Sequence, residues 1–129
     1  MRGFLTVVLI IAGIMYGLYW GLMQGNFQTI IDEHHEEYPV MAKLQTLLCW
    51  SFYISSQWEF ALGAYKKYLE YFPDDNPEQA KTVKFRIADC YQKLDRVDEA
   101  AAVYHEIIEV DTGTWRATMS GKRLEMLNK

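Results

Sequence analysis

Residues 3–23 read GFLTVVLIIAGIMYGLYWGLM and hold no charged side chain. Wound as an α-helix, the run is about 31 Å long, close to the roughly 30 Å hydrocarbon core of a bilayer. A helix that is apolar on every side needs lipid or a protein interior around it. A secretory signal peptide has a shorter apolar region and then a small-x-small cleavage site. Here Gly17, Gly21 and Gly25 are each preceded, two residues earlier, by Met15, Tyr19 and Met23, and no cysteine lies nearby for lipoprotein-type processing. Residues 1–25 are therefore expected to form an uncleaved transmembrane anchor.

The same run places glycine at every fourth position, Gly13, Gly17, Gly21 and Gly25. Residues four apart share one helix face. Small side chains on a face let helix backbones approach closely in lipid, where van der Waals contact drives association. The expectation is a smooth docking groove for another transmembrane helix, with Leu5, Val8, Met15, Tyr19 and Met23 opposite it toward lipid. Arg2 is the single charge before Asp32, and Glu33, Glu36 and Glu37 follow on the far flank. The positive-inside rule then puts the N-terminus in the cytoplasm and the remainder across the membrane.

With 13 basic residues against 17 acidic ones and a net charge of −4, the chain lacks the basic face that phosphate contacts require, and no nucleic-acid partner is expected. The two cysteines, Cys49 and Cys90, fit no metal or haem spacing. A single disulfide and two buried thiols are both open readings, with the thiols favoured because neighbouring helices sit about 8 to 10 Å apart and a disulfide needs Cα atoms within about 7 Å.

Beyond the apolar run the sequence repeats itself. Leu48-Cys49-x-x-Phe52, Ala61-x-x-x-Tyr65 and Pro73 are matched by Ile87-Ala88-x-x-Tyr91 and Ala100-x-x-x-Tyr104, offset by 39 residues. In each set the large residues would line the inner face of a first helix. The alanine would allow a second helix to approach, and the tyrosine would fill the space one turn on. Ser55-Ser56-Gln57 and Asp95-Arg96 supply turns, and Pro73 supplies a stop.

This pattern resembles the tetratricopeptide repeat, W-x2-L-G-x2-Y…A-x3-F…P, over residues 42–75 and 81–114, with the extra residues in DDNPEQ. Gln45 and Lys84 stand where that family has its leading tryptophan, and Thr112 where it has its second proline. Residues 26–39 look like the second half of a degenerate earlier repeat, with Phe27 at the position of the small alanine. Residues 115–129 look like an amphipathic capping helix, packing through Ala117, Ser120, Gly121, Leu124 and Leu127. The segment 72–108 is similar to repeats of bacterial envelope proteins of the Tol–Pal, outer-membrane-assembly and translocon-accessory type. That resemblance implies a role in holding other proteins, with no catalysis.

The expected fold class is thus all-α: one transmembrane helix, then a short tetratricopeptide-like hairpin solenoid and a cap. No catalytic, cofactor or metal residue is expected. The cluster DEHHEEY, residues 32–38, reads as a solvated helix face, because adjacent histidines point about 100° apart. Aromatic residues crowd residues 50–72, and Trp50, Tyr53, Trp58 and Tyr71 are expected to surface as a protein-partner patch. The partners expected are other membrane subunits and membrane lipid, with a homodimer through the glycine face as a third arrangement. The expected function is that of an accessory subunit or assembly scaffold of a membrane complex. A periplasmic chaperone-like client- or peptide-binding module on a plain anchor is the alternative. The expected location is a bacterial inner membrane with the repeats periplasmic, a mitochondrial inner membrane remaining open.

Overall fold

The computed structural model describes residues 1–23 and 26–128, and among them it contains seven α-helices and no strand. They are α1 (Arg2–Met23), α2 (Asn26–His34), α3 (Val40–Ile54), α4 (Trp58–Tyr71), α5 (Pro77–Lys93), α6 (Val97–Val110) and α7 (Trp115–Leu127). From α3 onward each helix packs on the next, and α7 also reaches back to α5. α1 meets α2 at the near end, and residues 2–20 are exposed throughout. By length and composition α1 is able to cross a membrane.

The 39-residue periodicity of the sequence is also a periodicity of the backbone. Gln57 N–H donates to Phe52 O at 2.9 Å, and Arg96 N–H donates to Tyr91 O at 2.9 Å. Ser56 N–H reaches Tyr53 O as Asp95 N–H reaches Gln92 O. Phe72 N–H ends α4 on Tyr68 O as Asp111 N–H ends α6 on Ile107 O. Ser56 and Asp95 both adopt the left-handed conformation, with φ of 60° and 62°. Such a residue costs a non-glycine side chain roughly 1 kcal/mol, so its recurrence marks one turn used twice.

Of the positions singled out by the repeat, Leu48, Cys49, Phe52, Ala61, Tyr65, Ile87, Ala88, Tyr91, Ala100 and Tyr104 are buried, and the stop residue Pro73 is exposed. Cys49 and Cys90 are buried and free. Burial pushes both thiols up to about 12.

Two boundaries differ from the sequence expectation. α5 begins at Pro77, inside the stretch expected to be loop. Asn76 caps it by accepting from Gln79 N–H at 3.1 Å, and proline fills the first helical position, where its missing N–H costs nothing. The extra residues of the longer period therefore lengthen a helix as well as a loop. α2 stops at His34, short of residue 38, and the chain turns there so that Glu37 N–H bonds His34 O.

α2 is tied to the body by polar contacts unseen in the sequence. Gln45, fully buried, donates to Ala64 O at 2.8 Å and exchanges amide hydrogen bonds with Gln28 at 2.8 and 3.1 Å. A glutamine thus fills the place where the repeat pattern has tryptophan. Asp32 accepts from Lys67 Nζ at 2.8 Å and Tyr71 Oη at 3.0 Å. At the far end Arg116, 4% exposed, bonds Asp111, Glu78 and Thr82 and pins α7 across α5.

Candidate interaction surface

Residues of α3 and α5 line a groove. Its cavity of about 230 Å³ has Val83 and Tyr65 beneath it. Thr46 and Trp50 form one wall, and Gln79, Thr82 and Arg86 the other. Trp50 stands at the rim, 56% exposed. Apolar surface lies under several donors, an arrangement able to grip polypeptide carbonyls or a carboxylate.

Below the groove sits a buried carboxylate. Asp89, 3% exposed, accepts from Tyr104 Oη at 2.8 Å and Tyr53 Oη at 3.2 Å. Arg123 lies 3.3 Å from it and Arg86 3.9 Å. Arg86 also donates to Tyr53 Oη at 3.1 Å and lies 4.9 Å above that ring. Two guanidinium groups share one carboxylate, so the cluster carries net positive charge beneath the groove. Burial, reinforced by Asp89, raises the Tyr53 phenol above its ordinary value. Burial and Asp89 raise that of Tyr104 likewise.

The four aromatic residues expected to form one patch divide into three and one. Trp50 lines the groove, Tyr53 is tied to its wall through Arg86, and Trp58 meets Tyr53 edge to face at 5.3 Å. Tyr53 and Trp58 are half-buried, and Lys93 lies 5.8 Å above Trp58. Tyr71 is elsewhere: its hydroxyl is held by Asp32, and its ring stacks on His35 at 4.0 Å. It seals α2 against α4 and leaves the partner patch.

The same contact takes Asp32 and His35 out of the face read as solvated, while Glu33, Glu36, Glu37 and Tyr38 are exposed. His35 is part-buried on Tyr71, and its Nδ1 lies 3.1 Å from Asp32 O. Burial pushes the Asp32 carboxyl up, yet the hydrogen bonds from Lys67, Gln28 and Tyr71 together hold it below its ordinary value. His34 remains partly exposed, 3.2 Å from Glu37.

The glycines of α1 are also unequal. A Cβ added at Gly13 or Gly17 would meet nothing within 4 Å, whereas one at Gly21 would lie 3.1 Å from the Phe27 ring. Phe27 of α2 thus covers Gly21 from within the chain, and the open part of the face is Gly13 and Gly17. Gly25 lies outside the described residues.

Sequence reasoning missed Asp89, Arg86 and Arg123. The signal was present in IADCY, residues 87–91, where one acid interrupts a run whose neighbours belong to the core. A buried carboxylate requires partners, and Arg86 three residues earlier is within helical reach. Comparison with protein-family models, with curated proteins and with solved structures finds no match to this chain.

Proposed function

We propose that the chain is a membrane-anchored, non-enzymatic interaction protein of tetratricopeptide type. It serves as an accessory subunit or assembly scaffold of a larger membrane complex. The observation that carries this reading is α1. It has no charge after Arg2, it is exposed along residues 2–20, and Gly13 and Gly17 lie open on it. A bare anchor needs no such face, while close helix packing in lipid does. The repeats would hold an extramembrane segment of the same complex. Two modest contacts joined in one chain gain strength, because the first raises the effective concentration of the second. In this reading the N-terminus is cytoplasmic, the repeats are periplasmic, and the membrane is a bacterial inner membrane.

The groove favours a second reading, reversible client or peptide binding. Its rim tryptophan and the donors of Arg86, Gln79, Thr46 and Thr82 suit a polypeptide laid along α3 and α5.

Native mass spectrometry after mild detergent extraction from the source membrane separates the two. The subunit reading expects a hetero-complex of fixed stoichiometry that is lost on Gly13→Leu with Gly17→Leu. A chain found alone, or as a homodimer, in the unsubstituted protein overturns it. The client reading expects variable bound polypeptides, unaffected by the glycine changes and lost on Trp50→Ala with Arg86→Ala.

A further inference from the structure

The outward face of α3 is anomalous for a helix meant to meet water. α3 carries one charged residue, Lys43, in fifteen, whereas α4, α5, α6 and α7 each carry four to six. Val40, Leu47 and Ile54, one face of α3, are 56%, 55% and 58% exposed. Their equivalents in the second repeat, 39 residues on, are Gln79, Arg86 and Lys93. The backbone is repeated and the surface chemistry is not.

The distal part of α1 faces α3 across open space. Two apolar cavities of about 310 Å³ each open between them. Leu18 and Phe27 face Leu44, Leu47 and Leu48 across one, and Met15, Leu18 and Tyr19 face Ile54 and Ser55 across the other. α1 therefore descends alongside α3 in the opposite direction. Tyr19 and Met15 are four and eight residues before Met23, so they lie about 6 and 12 Å back along the helix from the end of the apolar run. If that run spans the hydrocarbon, the C-terminal half of α3 is carried to a comparable depth.

We infer that the outward face of the C-terminal half of α3, through Leu47 and Ile54, contacts the bilayer beside the anchor. The helical body then approaches the membrane with the C-terminal end of α3 first. The occupant is lipid because the face is continuous with a helix of bilayer length and lacks the charge and hydrogen-bonding groups that a polar partner would meet. Lys43, at the flank of α3, has the long stem with which such residues reach headgroups from an apolar face. Phe60, 51% exposed at the start of α4, extends the apolar surface past the turn. This inference rests on reading α1 as a membrane span.

The test is photo-crosslinking of the full chain in phosphatidylcholine–phosphatidylglycerol vesicles. Benzoylphenylalanine is placed singly at positions 8, 47, 54 and 102, all exposed. Position 8 reports on the anchor, and position 102, on α6, is the control. Lipid adducts at 8, 47 and 54, several-fold above 102, are expected. Adducts at 8 with 47 and 54 no higher than 102 overturn the inference and leave the anchor standing. Adducts of 47 and 54 with a second copy of the chain in place of lipid overturn it too. No adduct at 8 overturns the membrane span and this inference with it.

Discussion

Replacing Asp89 by alanine removes the acceptor on which four side chains converge. Tyr104, fully buried, loses its 2.8 Å partner but keeps Gln92 Oε1 at 3.0 Å, so its hydroxyl stands at the low end of the roughly 1–3 kcal/mol cost of an orphaned buried donor. Breaking a fully buried ion pair costs about 3–5 kcal/mol. Here the Arg86 and Arg123 side chains remain 35% and 25% exposed, so water screens part of the charge left behind. The expected net loss for Asp89→Ala is about 3 kcal/mol, and about half that for Asp89→Asn, which keeps an acceptor of the same shape. For a domain of this size the alanine variant should melt roughly 10 °C lower. The assay is thermal and urea unfolding of the full chain in detergent micelles, followed by circular dichroism and tryptophan fluorescence. Tyr104→Phe completes a double-mutant cycle, in which contacting residues couple by about 0.5 kcal/mol or more. A loss under about 1 kcal/mol for the alanine variant, or no coupling in the cycle, would refute the claim that this carboxylate organises the body beneath the groove.

Three further outcomes follow from particular contacts. Gly21→Leu should displace Phe27 and speed amide exchange across α2, while Gly17→Leu should leave α2 unchanged; equal exchange in the two variants would show that Phe27 does not depend on Gly21. Asp32, held below its ordinary value of 3.8 by Lys67, Gln28 and Tyr71, should contribute stability that is present above pH 3.8 and lost as pH falls through its lower folded value. Asp32→Asn should therefore flatten the acid limb of a stability–pH curve and destabilise most at neutral pH, and an unchanged acid limb would count against the Lys67–Tyr71 cluster. Cys49 and Cys90, with thiols pushed up to about 12, should react with an aromatic disulfide reagent only after unfolding, and labelling at the native rate of an exposed thiol would contradict their burial.

The helices and the repeat were legible because each rests on local signals. Small residues at 61 and 100, large ones at fixed spacing, and turn residues at 55–57 and 95–96 act over a few turns of chain. The period was readable as well, since the left-handed turn at Ser56 recurs at Asp95. The polar ties were harder to see. Gln45 pairs with Gln28 seventeen residues away, Asp32 with Lys67 thirty-five away, and Arg116 with Glu78 thirty-eight away. Such pairs have no periodic trace, and each residue alone reads as surface. Tyr71 was assigned to the partner patch for the same reason: its role depends on His35 and Asp32, brought to it by the packing of α2. The glycine series misled in part because spacing shows which residues share a face and not what covers that face. Phe27 stands at the position of a small hairpin alanine, and its size is what lets it reach Gly21.

That last contact bears on how α1 and the helical body are joined. α2 has nine residues, too few to hold a helix alone in water. Its order comes from three separate ties: the buried Ile31, the Gln28–Gln45 amide exchange, and Asp32 between Lys67 and Tyr71. Phe27 on the same helix then sits over Gly21 of α1. Between the apolar helix and α3 thus stands a packed helix, where a Gly/Ser-rich tether would have an end-to-end reach that grows with the square root of its length. The contact of Phe27 with Gly21 places the two helices side by side at that point. The face of α3 that lies beside α1 is set by the same contacts that hold α2, and so is the side of the body on which the α3–α5 groove opens. Binding at the groove would then meet a partner in one orientation relative to α1, which is the condition under which two linked contacts reinforce each other.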